Sequence, residues 1–180
     1  MPKSAGMSEP RIVGIVGWSG QGKTTLMVGL IRHLTEQRLR VSTIKHAHHG
    51  FDIDVPGKDS HRHREAGASE VLIMSGTRWA LMHEVRDEPE PMLADLIGRI
   101  APCDIVLVEG FKSYPIPRIE VHRPSEGKPP IFPGDPLVAA VACDVAIDTG
   151  GRPRFDLDDI PAIARFIRDG LPAGAASPAP

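Results

Sequence analysis

The 180-residue chain contains no asparagine and only two glutamines, Gln21 and Gln37. It therefore cannot hold the N-K-x-D signature with which Ras-like GTPases read guanine. Its two cysteines, Cys103 and Cys143, form no C-x-x-C, which excludes a zinc knuckle or redox motif of that type. A chain of this length buries roughly 70% of its unfolded surface and needs no disulfide or structural metal. Two thiols in such a chain point to a reducing, cytoplasmic compartment. Neither charge sign dominates: 21 Lys and Arg against 23 Asp and Glu give a net charge of −2. That argues against nucleic acid or an anionic membrane surface as a partner. No uncharged run approaches the roughly 20 apolar residues of a membrane span. The opening MPKSAGMSEP has no apolar core and does not read as a signal peptide. There is no internal repeat with a period of about 20 to 50 residues.

What is present is an alternation of strand-like and helix-like segments. Residues 11–17 (RIVGIVG) form an apolar, β-branched run. Residues 24–37 follow with Leu26, Met27, Leu30, Ile31 and Leu34 at helical spacing. Val41 to Lys45 is a second strand, so the first three elements predict a βαβ unit with parallel pairing. Residues 46–58 read as a loop, and 59–66 as a short helix. Runs 70–74 and 78–84 flank Ser75-Gly76-Thr77 as a hairpin, and 91–100 is a helix opened by proline. Residues 104–108, 118–122 and 137–143 are later strands, and seven prolines crowd the stretch from Pro115 to Pro136. Residues 157–168 form a final helix. The expectation is an α/β fold of the P-loop NTPase kind, a mostly parallel sheet flanked by helices with a β-hairpin insertion. One nucleotide-binding domain is expected over residues 11–170, between a disordered N-terminus (1–10) and a disordered Pro/Ala tail (171–180).

The sharpest motif is Gly17-Trp18-Ser19-Gly20-Gln21-Gly22-Lys23-Thr24, which fits G-x-x-x-x-G-K-[ST] at every fixed position. Strand before and helix after are the context the motif requires. The glycines let backbone amides curl round a phosphate, and the helix start adds its positive end. Lys23 reaches the outer phosphates as a point charge, the Thr24 hydroxyl ligates Mg²⁺, and Thr25 is placed for the α-phosphate. A lysine at position 18 would mark the two-lysine variant of this loop, and Trp18 stands there instead.

A second carboxylate should complete the metal side. The strand Asp104 to Val108 ends in Glu109, and a strand parallel to the P-loop strand would bring that acid to Mg²⁺, directly or through water. Gly110 would permit close approach to the γ-phosphate, and Lys112 lies beside it. For the base, Asp144 closes a late strand, and a carboxylate accepts from guanine N1–H and its amino group together, a pair adenine does not offer. Five of the eight histidines fall between His46 and His63: His46, His48, His49, His61 and His63. They fit either transition-metal binding or a polar loop. Asp52, Asp54, Asp59 and Ser60 share that loop, with Asp59 and Ser60 as candidates to approach Mg²⁺.

Taken together, residues 17–26 (GWSGQGKTTL), 44–68 (IKHAHHGFDIDVPGKDSHRHREAGA), 78–82 (RWALM), 104–112 (DIVLVEGFK) and 140–145 (AVACDV) resemble the MobB family. These are the bacterial adapter proteins of molybdopterin-guanine dinucleotide biosynthesis. The resemblance runs from about Arg11 to Gly170, departing at Cys143, often serine, and Ala146, usually proline. It implies a homodimer that binds GTP with Mg²⁺ through Gly17 to Thr25 and Glu109, and hydrolyses it slowly at most. It also implies partnership with the MobA-type guanylyltransferase that attaches GMP to molybdopterin, and with the molybdenum-insertion protein. A nickel or cobalt metallochaperone GTPase is the alternative the histidines suggest, without the histidine-rich tail or cysteine motif it would need. A small-molecule kinase would need an arginine-rich lid, and the 115–136 loop offers only Arg118 and Arg123.

Overall fold

The computed structural model describes residues 9–47, 50–111 and 114–171. His48, His49, Lys112, residues 1–8 and the tail from Pro172 lie outside them. The chain divides into two compact units, one of residues 1–46 and 93–180 and one of residues 47–92.

The first unit is built on β1 (Arg11–Val16), α1 (Lys23–Glu36), β2 (Val41–Lys45), α3 (Leu93–Arg99), β5 (Ile105–Glu109), β6 (Arg118–His122), β7 (Val138–Cys143), β8 (Arg154–Phe155) and α4 (Ile160–Arg165). Its six strands run in the order β2-β5-β1-β6-β7-β8. Every pairing in that sheet is parallel. The predicted parallel sheet is therefore present, with one correction. β1 and β2 do not pair, because β5 lies between them and hydrogen-bonds to both. The local βαβ pattern sets direction but cannot exclude a strand that arrives 60 residues later.

Both sheet faces are buried, and the strands alternate accordingly. Val13, Ile15, Ile105, Leu107, Ile119, Val121, Ala140 and Ala142 face the cluster containing Leu26, Leu30 and Leu34 of α1 and Ile163 of α4. Val106 and Val108 belong to a second cluster with Leu93 and Ile97 of α3. Over β7, Val141 and Cys143 pack against Phe132 of the Pro-rich segment, so a loop replaces a helix there. Asp159 caps α4, accepting from the Ala162 amide at 3.0 Å, and the helix continues as a π turn over Phe166–Gly170. Leu171, expected to open the disordered tail, is buried in the α1–α4 core cluster because that turn carries it back onto the sheet.

The second unit carries α2 (Asp59–Glu65) and the antiparallel hairpin β3 (Glu70–Met74) and β4 (Trp79–His83). This is the expected insertion. Arg64 holds it together, donating to Asp54 (2.6 and 3.1 Å), Asp52 (2.8 Å) and Glu84 (2.9 Å).

In the first unit a similar clamp sets the register of the strand pair β2–β5. Arg40 donates to both oxygens of Asp104 at 2.8 and 3.1 Å, and its backbone amide adds a third bond at 2.8 Å. These contacts hold the Asp104 carboxyl at about 2, below its usual 3.8. The folded value lies below the unfolded one, so the contribution to stability is fully present above about 3.8. It is lost as pH falls through about 2. Asp104→Asn should lower the unfolding temperature near neutrality, with the gap to the wild type closing between pH 4 and pH 2. A gap that stays constant down to pH 2 would mean the carboxylate charge contributes nothing.

Candidate functional site

The turn between β1 and α1 has the geometry of a phosphate cradle. Gly17, Gly20 and Gly22 have φ of +146°, +85° and +97°. At Gly17 a Cβ would stand 2.4 Å from the Val121 carbonyl oxygen of β6, so only glycine fits. No side chain caps the start of the 14-residue α1, and its first turn has no acidic residue. The first-turn amides and the positive helix end are left for an anion. Lys23 folds back over the loop, its Nζ donating to the Trp18 carbonyl at 2.9 Å. Trp18, Ser19, Thr24 and Thr25 are exposed.

Two loop side chains anchor the cradle. Trp18 donates its indole N–H to the Pro129 carbonyl at 2.8 Å. Gln21 is fully buried, so it serves the loop through its backbone while its side chain holds the protein. The Gln21 amide oxygen accepts from the Arg123 backbone N–H, and its carbonyl accepts from Arg123 Nε at 3.2 Å.

Glu109 closes β5 in register with Ile15 of β1 and Lys45 of β2. It therefore stands at the same sheet edge from which the cradle springs. Lys45 Nζ approaches it at 3.7 Å, a loose pairing that leaves carboxylate lone pairs to spare. The Thr24 hydroxyl and this carboxylate are hard oxygen donors, which fits Mg²⁺ rather than a softer metal. Gly110 has φ +91°, and a Cβ there would meet the His46 Cβ at 2.7 Å. Close packing of His46 is thus a second reason for glycine at this position.

Asp144 follows β7 and is exposed. Its carboxylate accepts from Arg123 Nη1 at 2.8 Å. Arg123 appeared in the sequence only as a sparse lid residue. Its place after β6, at the C-terminal edge where parallel sheets gather ligands, was the signal that could have marked it.

The acids of the 46–63 region divide differently from expectation. Asp52 and Asp54 are committed to Arg64, which draws the Asp54 carboxyl below its usual value. Asp59 opens α2. His61 lies 3.3 Å from Glu65. No group of three or more His, Cys, Asp or Glu is arranged to hold a metal ion among the described residues. The metallochaperone alternative finds no support. No described helix is long and apolar enough to cross a membrane.

The profile of "Molybdopterin guanine dinucleotide synthesis protein B" matches residues 12–144. A molybdopterin-guanine dinucleotide biosynthesis adapter protein from Haemophilus influenzae is 43% identical over 163 residues, 89% of each chain. Its namesake from Escherichia coli is 40% identical over 91% of this chain and 94% of its own. Among solved structures, a crystal structure of molybdopterin-guanine biosynthesis protein B is 31% identical, with a TM-score of 0.70 over 89% of this chain and 99% of its own. A Bacillus subtilis MobB structure superposes with a TM-score of 0.70 at 25% identity, over 91% of this chain and 99% of its own. The cradle described above lies inside the matched region, and the relatives agree with the chain nearly end to end: it belongs to the MobB family.

Proposed function

We propose that this chain is a GTP-binding adapter of molybdenum cofactor biosynthesis. It assists the attachment of GMP to molybdopterin, performed by a MobA-type guanylyltransferase, and works beside the molybdenum-insertion protein. It acts in the cytoplasm as a homodimer. The observation that carries the nucleotide half is the complete glycine cradle ahead of an uncapped helix. The adapter half rests on the names of relatives that align over about nine-tenths of the chain.

Within this reading each residue has a separate task. The amides of Gly17 to Thr25 and the Lys23 ammonium bind the phosphates. Thr24 and Glu109 hold Mg²⁺, which supplies positive charge against the phosphate oxygens. Asp144 accepts from guanine. What the chain lacks explains why hydrolysis is slow. Gln21 is buried, and Gln37 ends α1 on the far side of fourteen helical residues. Neither can orient a water after β5.

Calorimetry with a nucleotide panel tests the reading. GTP should bind more tightly than ATP, with affinity rising on Mg²⁺ addition, and Asp144→Ala should narrow the preference. Equal binding of both nucleotides by the wild type would refute guanine reading. A preference that survives Asp144→Ala would refute only the residue.

Glu109→Gln should slow single-turnover GTP cleavage much more than it weakens binding. The variant keeps the size of the side chain and removes the charge that balances the cation as negative charge shifts in the transition state. Equal cleavage rates at equal Mg²⁺ would leave Glu109 as a strand-end acid only.

A further inference from the structure

We infer that Arg123 is a specificity-positioning residue, a guanidinium that fixes the base-reading carboxylate of Asp144 relative to the phosphate loop. The inference rests on the guanine reading proposed above and deepens it. Three bonds support it. The Arg123 backbone N–H and Nε both donate to Gln21, the first to the side-chain oxygen and the second to the carbonyl at 3.2 Å. Nη1 of the same side chain donates to Asp144 Oδ2 at 2.8 Å. Gln21 sits between Gly20 and Gly22, so one planar group spans the phosphate cradle and the acid after β7.

The chemistry of discrimination makes this span matter. An aspartate distinguishes guanine from adenine only while it is ionised, because only then does it offer acceptors to both N1–H and the amino group. It must also point in one direction. Asp144 lies on the surface, where a short side chain otherwise turns freely. Arg123 supplies the fork that fixes orientation, donating to Oδ2 at 2.8 Å. A carboxylate has about four lone-pair sites, so one bond to Arg123 leaves both oxygens able to accept from a base. Partly exposed ion pairs add little to stability, and the two side chains here are 34% and 30% exposed. The pair therefore has small worth as a fold strut.

The test compares dissociation constants for GTP and ATP, with Mg²⁺, in the wild type and in Arg123→Ala, Arg123→Lys, Asp144→Ala and the double alanine variant. Arg123→Ala should reduce the GTP-over-ATP preference about 10-fold, the scale of one charge-assisted hydrogen bond, with ATP affinity within about 3-fold of wild type. Arg123→Lys should recover part of the preference, since an ammonium keeps the charge without the planar fork. The double variant should show no more loss of preference than Asp144→Ala alone. If Asp144→Ala narrows the preference and Arg123→Ala does not, this inference fails and the guanine reading stands. If Asp144→Ala changes nothing, the residue assignment fails and takes the inference with it. Equal loss of both nucleotides in Arg123→Ala would make Arg123 a strut of the phosphate loop, and overturns the inference.

Discussion

Lys23→Ala should weaken GTP binding about 10- to 150-fold while leaving the unfolding midpoint where it is. Lys23 is the first residue of α1, and its side chain reaches back over the loop to the Trp18 carbonyl rather than into the core. None of the buried apolar clusters includes it. The substitution therefore removes a cation from the cradle without opening a cavity, and alanine is the best helix former for the vacated position. Losing a charge-assisted contact to phosphate costs about 1.5–3 kcal/mol, which gives the stated range. Calorimetric titration of variant and wild type, alongside urea unfolding of each, separates the two effects. Unchanged GTP affinity would end the phosphate-cradle reading.

The second large effect lies behind the cradle. Glu120 of β6 is fully buried, and both of its oxygens are engaged by backbone. Its two oxygens accept from the Ile131 and Phe132 amides, each at 2.7 Å. Those bonds fasten the Pro-rich segment to the sheet, with Arg118 gripping Asp135 beside them. Phe132 then fills the core over β7, and Pro129 presents the carbonyl that receives the Trp18 indole. Glu120→Ala would leave the buried Phe132 amide and the half-buried Ile131 amide without their acceptor. At about 1–3 kcal/mol for each unsatisfied group, the variant should lose about 2–6 kcal/mol in urea denaturation. Glu120→Gln keeps one acceptor oxygen and should lose less. Both should alter the fluorescence of Trp18, whose indole partner is released with the loop. A Glu120→Ala protein as stable as the wild type would mean the segment is held by Phe132 packing alone.

How far the sequence revealed these features follows from how local they are. The cradle was legible because its eight residues are contiguous and its glycines have one conformational purpose. The strand β2 was legible to the residue, and the hairpin from its turn and flanking β-like runs. Glu109 could be set beside β1 because an apolar strand ending in an acid has few other places in such a sheet. The insertion of β5 between β1 and β2 could not be read, since strand neighbours depend on pairing between distant segments. β8 has only two residues and carries no periodicity. The Pro-rich segment looked like an open loop because proline and glycine erase any apolar rhythm, and the carboxylate that pins it belongs to the preceding strand. Arg123 and Asp144 meet across 21 positions, beyond the reach of any local pattern.

The strand order also has a bearing on how the chain reaches its fold. β1 is buried from Val13 to Val16, and its two neighbours are β5 and β6, which begin at residues 105 and 118. During synthesis, the strand that bears the phosphate loop emerges first and waits through roughly half the chain for any partner. The hairpin β3–β4, whose strands are joined by only four residues, can form in that interval without it. Contacts this distant in sequence close slowly, and an unpaired apolar strand is where a half-made chain associates with others. Assembly of the nucleotide site is therefore a late event in folding: β5 must slot between β1 and β2, and β6 and β7 must then bring Arg123 and Asp144 into place.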